Sequence, residues 1–169
     1  MSIALDIIET YGNPRRAIRK KLNGSTGEGR ALAYLLVACL LHFCSRLPML
    51  PRQSASLEGG PSFHALASGQ FIGAVLIAPL AFYALAAASR LIGRAFGGRG
   101  NWRDSRIALF WALLSVAPIG LAAGAAAALP FEFDQAVADA LSLFAAVAFA
   151  VIWAFGILEA EVPPKSART

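Results

Sequence analysis

The chain has 169 residues, 57% of them hydrophobic and only 15% charged, with 15 Lys and Arg against 10 Asp and Glu for a net charge of +5. Soluble domains carry about a quarter charged residues, so this balance excludes an ordinary water-soluble enzyme. Much of the surface must face a non-aqueous solvent, and the length leaves room for one domain.

Residues 1–30 read as a cytoplasmic, amphipathic and basic segment. Ile3, Leu5, Ile7 and Ile8 mix with Asp6 and Glu9, and these acids interrupt the earliest apolar run. No cleavable signal peptide is therefore expected. Asn13-Pro14 then offers an N-cap followed by proline at the first helical position. The helix so started places Ile18 and Leu22 on one face, with Arg15, Arg16, Arg19, Lys20 and Lys21 around them. That pattern suits an interfacial helix among anionic headgroups, where each basic residue contributes roughly 1 kcal/mol. Ser25 and Glu28 resemble a capping box opening the next helix.

Crossing a bilayer takes about 20 apolar residues in a helix. Four runs qualify, at 31–50, 71–93, 106–129 and 136–159. Between them lie a loop punctuated by Pro48, Pro51, Gly59, Gly60 and Pro61, a GGRGN turn at 97–101 and a short LPFEFD link at 129–134. Short links favour antiparallel neighbours. The expected fold is all-α: a polytopic transmembrane bundle of about four spans over residues 31–159, preceded by the amphipathic interfacial helix.

Basic residues concentrate in the N-terminal segment, around the second link (Arg90, Arg94, Arg99, Arg103, Arg106) and in the tail at 160–169 (Lys165, Arg168). The positive-inside rule therefore places both termini and the second link in the cytoplasm. The expected location is a bacterial inner membrane.

Cys39 and Cys44 fit no metal or redox spacing and read as small apolar side chains. His42 is the most suggestive single residue, because ionisable groups inside spans are functional candidates. It shares a helix face with Cys39 and Arg46. A haem held by two histidines would need a second chain, since His64 falls in a loop; the preferred reading is a neutral histidine bonded to a neighbouring helix. No cofactor or metal is expected. Arg90 and Arg94 read as inner-leaflet anchors, or as contacts for anionic lipid or an acidic partner. Glu159 and Glu161 point apart on a helix, which argues against an acid–base pair, and they are candidates to pair with arginines of the second link. Asp139 reads as a charge in the first turn of the last span. Pro79 and Pro118 imply kinks, and the spacings Gly69-x-x-x-Gly73 and Gly120-x-x-x-Gly124 suit close helix approach.

The second link is the most distinctive stretch. A basic helix end, the glycine turn Gly97–Gly100, Trp102, Arg103 and a following helix containing Pro118 resemble the Ypt/Rab-interacting (Yip) membrane proteins, particularly bacterial members. The Pro14-Arg15-Arg16 segment ahead of the first span adds to the likeness. The resemblance implies a helical membrane domain. Eukaryotic relatives are linked to Rab GTPases and vesicle traffic. Relatives usually have five spans, so here either one is lost or the N-terminal segment replaces it. The glycine turn lacks the order of a phosphate-binding loop, and no strand precedes it.

These features point to a non-catalytic structural or interaction protein: an adaptor, assembly factor or accessory subunit of a larger membrane complex. Its partners would be anionic lipid headgroups and other integral membrane proteins or further copies, not nucleic acid. The alternative is a transport or lipid-handling component acting as an oligomer. Charged pairs near mid-membrane, which such a component needs, are not evident in the sequence.

Overall fold

The computed structural model describes residues 3–24, 27–55, 60–98, 100–128 and 132–161, with side chains of the last helix described from residue 136 onward. Every described element is helical. Two short helices, α1 (Ile3–Gly12) and α2 (Pro14–Asn23), form an N-terminal hairpin. The Asn13 side chain accepts the Arg16 N–H at 3.1 Å and Pro14 begins α2, as the sequence predicts.

The four expected spans are present, and each is slightly longer than its apolar run. The first comprises α3 (Glu28–Arg46), a 3-10 turn at Leu47–Met49 and α4 (Leu50–Ala55). The second comprises α5 (Phe63–Ile72), a π-helical turn at Gly73–Ile77 and α6 (Ala78–Ala95). Pro79 explains that turn: proline cannot donate to the helix ladder and crowds the carbonyl one turn back, and the wider turn relieves the clash without breaking the span. The third and fourth are α7 (Trp102–Ala128) and α8 (Glu132–Ala160).

The helix α3 begins at Gly27, which makes no side-chain cap, so the capping box is not its start. Glu28 instead accepts a bond from Arg106 Nη2 at 2.6 Å, and Ser25 lies outside the described residues.

Helix α7 is the axis of the bundle. In its most apolar stretch 67% of residues are buried, against 22% or less in the other three spans. It packs most extensively on α8 and α3 and less so on α6. Small residues set these approaches. A methyl group on Gly124 would overlap the Ser45 carbonyl of α3, and one on Gly156 would lie 2.8 Å from Ala108 Cβ. Lipid tails are as apolar as leucine, so close backbone approach of this kind, rather than hydrophobicity, holds spans together.

The N-terminal hairpin takes a further position around α7. Ile18 is fully buried against the bundle, so the apolar face of α2 meets protein rather than acyl chains. The segment is helical and amphipathic as expected, but its buried side is different. Arg52 closes the opposite end of α7, donating to the Ala127 and Ala128 carbonyls at 2.8 and 3.2 Å. A cation on the last carbonyls suits the helix dipole there.

Candidate functional site

Two regions of the molecule gather polar side chains. The first is the basic end, where the hairpin, the end of α8 and the glycine turn meet. Asp6 is buried and accepts from Lys21 Nζ at 2.6 Å and Lys20 Nζ at 3.0 Å. Lys20 also reaches Glu9 at 3.2 Å. The Lys21 bond, and then that of Lys20, holds the Asp6 carboxyl below its ordinary range, while Asp6 and Glu9 push the Lys20 ammonium up. The Lys21 ammonium lies 4.1 Å from the ring centre of Trp111, which is itself edge-on to Tyr34 at 5.3 Å.

Trp111 has no exposed surface, yet its indole N–H is satisfied by Thr10 Oγ1 at 3.1 Å. Thr10 in turn donates to the Asp6 carbonyl at 2.7 Å. The Tyr11 hydroxyl donates to the Ser115 carbonyl, three residues before Pro118. A proline kink frees carbonyls on the preceding turn, and an outside donor is the usual remedy inside a membrane helix. The hairpin thus supplies the polar partners that α7 lacks.

The glycine turn has its own role. Helix α6 ends in a paired closing motif, with Gly97 N–H on the Arg94 carbonyl at 3.0 Å and Gly98 N–H on the Gly93 carbonyl at 2.9 Å. Gly97 sits at φ +82°, the left-handed conformation that this ending requires. The turn then wraps the Glu161 carboxylate. Gly100 N–H donates to Glu161 Oε2 at 2.7 Å, and buried Arg90 donates to Oε1 at 3.0 Å. A methyl group on Gly98 would overlap that carboxylate, and one on Gly93 would lie 2.6 Å from it. The pairing of α8 carboxylates with arginine, raised from the sequence, is therefore present for Glu161. Glu159 pairs instead with Arg19 at 2.6 Å.

The basic residues singled out in the sequence divide accordingly. Arg19, Lys20, Lys21 and Arg90 are engaged with carboxylates of the chain itself. Arg103 donates to the Gly24 carbonyl at 3.2 Å. Arg15 is exposed, 5.0 Å from the Phe155 ring centre, and exposed Arg16 lies 3.5 Å from Glu9. Arg94 and Trp102 are also exposed. Arg99 lies outside the described residues. A groove of about 480 Å³ between α2 and the end of α8 is lined by Asn13, Arg15, Arg16, Arg19, Lys20 and Glu159.

The second region is a slot of about 530 Å³ at the opposite end, enclosed by α3, α7 and α8 with parts of α5 and α6. Its polar lining is His42, Ser45, Arg46, Gln53, Gln70, Asp139 and Ser142. Two sequence readings change here. His42 Nδ1 lies 2.9 Å from the Ala38 carbonyl in its own helix, so its bond is not to a neighbour. Asp139 stands seven residues inside α8, which begins at Glu132, and so cannot cap its first turn. Arg46 and Asp139, ionisable groups from two spans, share this cavity toward the helix ends. A slot of this kind is invisible in sequence because it needs three helices to form and alanine and glycine to keep it open.

Among the described residues no cluster of three or more His, Cys, Asp or Glu could hold a metal ion, and both cysteines are free.

Comparison with curated proteins and with solved structures found no match. The Yip1 domain matches residues 8–169, from the middle of α1 through all four spans, the glycine turn and α8. The likeness seen in the second link thus extends over nearly the whole chain, hairpin included: this protein is a multi-pass membrane protein of the Yip1 domain family.

Proposed function

We propose that this protein is a non-catalytic interaction protein of a bacterial inner membrane, an adaptor, assembly factor or accessory subunit with its basic end in the cytoplasm. The observation that carries the reading is the docked hairpin. Its lysines and Arg19 are spent on internal carboxylates, which makes the basic end a fixed platform, while Arg15 on the Phe155 ring and Arg16 beside Glu9 stay exposed along the groove. A rigid cationic groove suits an acidic segment of a partner or anionic headgroups, because little ordering entropy is lost on binding. The orientation rests on the positive-inside rule applied to the hairpin, the glycine turn and the tail.

The test is affinity purification of natively expressed protein in mild detergent, followed by mass spectrometry, with wild type beside an Arg15→Gln, Arg16→Gln variant. We expect a stoichiometric membrane partner that falls at least tenfold in the variant, with insertion and Tm unchanged. Equal recovery from both proteins rejects the reading.

The slot favours a second reading, a lipid-handling component acting as an oligomer. It gives the molecule a polar recess inside its spans, which an adaptor does not need.

A further inference from the structure

The slot runs along α7 from Leu113 to Ala127, about 21 Å at ~1.5 Å per residue, or about two-thirds of the ~30 Å hydrocarbon core. Its volume of about 530 Å³ lies within the ~300–1,000 Å³ typical of small-molecule sites. The two ends differ chemically. Arg46, Gln53, Gln70 and Asp139 line the part nearest the helix ends, whereas Leu113, Val116, Phe82 and Phe149 line the part near mid-membrane. The α7 wall between them is recessed by Gly120, Ala123, Gly124 and Ala127, and the α8 wall by Ala145 and Ala146. Helices α3 and α8 make no extended contact with each other, and the slot lies between spans, within the depth of the bilayer.

The polar end has a defined character. A carbonyl only accepts, so His42 Nδ1 must be the protonated nitrogen donating to Ala38. Nε2, the other ring nitrogen, faces the Gly120 side of the slot. Arg46 follows one turn later on the same helix and supplies planar donors suited to phosphate.

We propose that this slot is a phospholipid site. It takes a glycerophospholipid with a hydroxyl-bearing anionic headgroup, the phosphate at Arg46, a headgroup hydroxyl donating to His42 Nε2, and one acyl chain along the alanine and glycine wall. The occupant is a lipid because the cavity is polar at one end, apolar at the other and reached from within the membrane. The proposal rests on the lipid-handling reading for its purpose, but not for its geometry.

The test uses the full chain, purified in mild detergent, stripped of lipid and titrated with phosphatidylglycerol under native mass spectrometry. Glycerol 3-phosphate serves as the headgroup without a tail. The variants are Arg46→Gln and Gly120→Leu, with exposed Arg30→Gln at the other end of α3 as control. A methyl group on Gly120 would stand 3.9 Å from His42 Nε2, so the leucine enters open space and fills the slot. Phosphatidylglycerol binding is expected to fall at least fivefold in both slot variants and to be unchanged in the control. If Gly120→Leu does not fold, Arg46→Gln decides alone, because Arg46 is exposed. Equal binding by wild type and Arg46→Gln, equal loss in Arg30→Gln, or glycerol 3-phosphate binding as tightly as the lipid would overturn the site. Selective binding without lipid exchange between vesicles would sustain the site and remove the lipid-handling reading.

Discussion

At the scale of single residues, the glycines separate into those that hold helices together and those that leave space. Gly124 presses on the backbone of Ser45, which cannot move aside as a side chain can, whereas Gly120 has room for a methyl group. Gly124→Val should therefore destabilise the purified protein by about 1–3 kcal/mol, through overpacking against α3. Gly120→Ala should leave it nearly unchanged. Thermal unfolding in detergent separates the two, and equal Tm values for both variants would show that α3 and α7 do not meet as described. The sequence marked both glycines by spacing alone and had no means of ranking them. Spacing reports which face a residue occupies; the distance to the facing backbone is a tertiary fact. Arg90 illustrates the same limit. Its charge was legible, but Glu161 stands 71 positions away and only the glycine turn brings them together.

At the scale of elements, the four spans and the start of α2 could be read directly. Apolar run length sets a span, and Asn-Pro sets a helix start, with no help from the rest of the fold. The lie of the hairpin could not be read. An amphipathic basic helix looks the same whether its apolar face meets lipid or protein, and Thr10 and Tyr11 gave no sign that their hydroxyls serve α7. The closure of α1 on α2 within the hairpin depends on the Asp6 charge, which binds Lys20 and Lys21. Its pKa is lowered in the folded state, so its contribution is complete above the ordinary value of 3.8 and is lost as pH falls through the lowered value. Acidification below about pH 4 should loosen the hairpin, read as faster hydrogen exchange in residues 3–23 while α7 stays protected. In Asp6→Asn the hairpin should already be loose at pH 7 and its exchange should no longer respond to acid. Unchanged protection in wild type across this range would refute the assignment of Asp6.

At the scale of the whole molecule, four spans alone would not bury a central helix, and the hairpin helps to surround α7. Deleting residues 1–22 should leave all four spans inserted, because insertion depends on apolar length. It should nonetheless lower Tm, since Trp111 loses Thr10 and Lys21 and the Ser115 carbonyl loses Tyr11. Accessibility mapping of the links, with Tm measured beside it, checks both halves. Loss of a span on deletion would mean that the hairpin directs insertion rather than completing the packing. This also makes the deletion unsuitable as a clean test of partner binding, which is why the outward arginines are the better probes.

The hairpin's contacts bear on the order in which the chain is made. Its partners Trp111, Phe155 and Glu159 lie 101 to 140 positions downstream of the residues they meet. During synthesis α1 and α2 precede every span they meet, and until α8 has left the ribosome they have only the α7 part of their surface, Trp111 and Ser115, to settle on. Contacts so distant along the chain form late. A nascent chain stalled before α8 would leave Arg19 without Glu159 and Arg15 without Phe155, the contacts that seat α2 on the last span. The docking of α2 is thus completed only once α8 is in place.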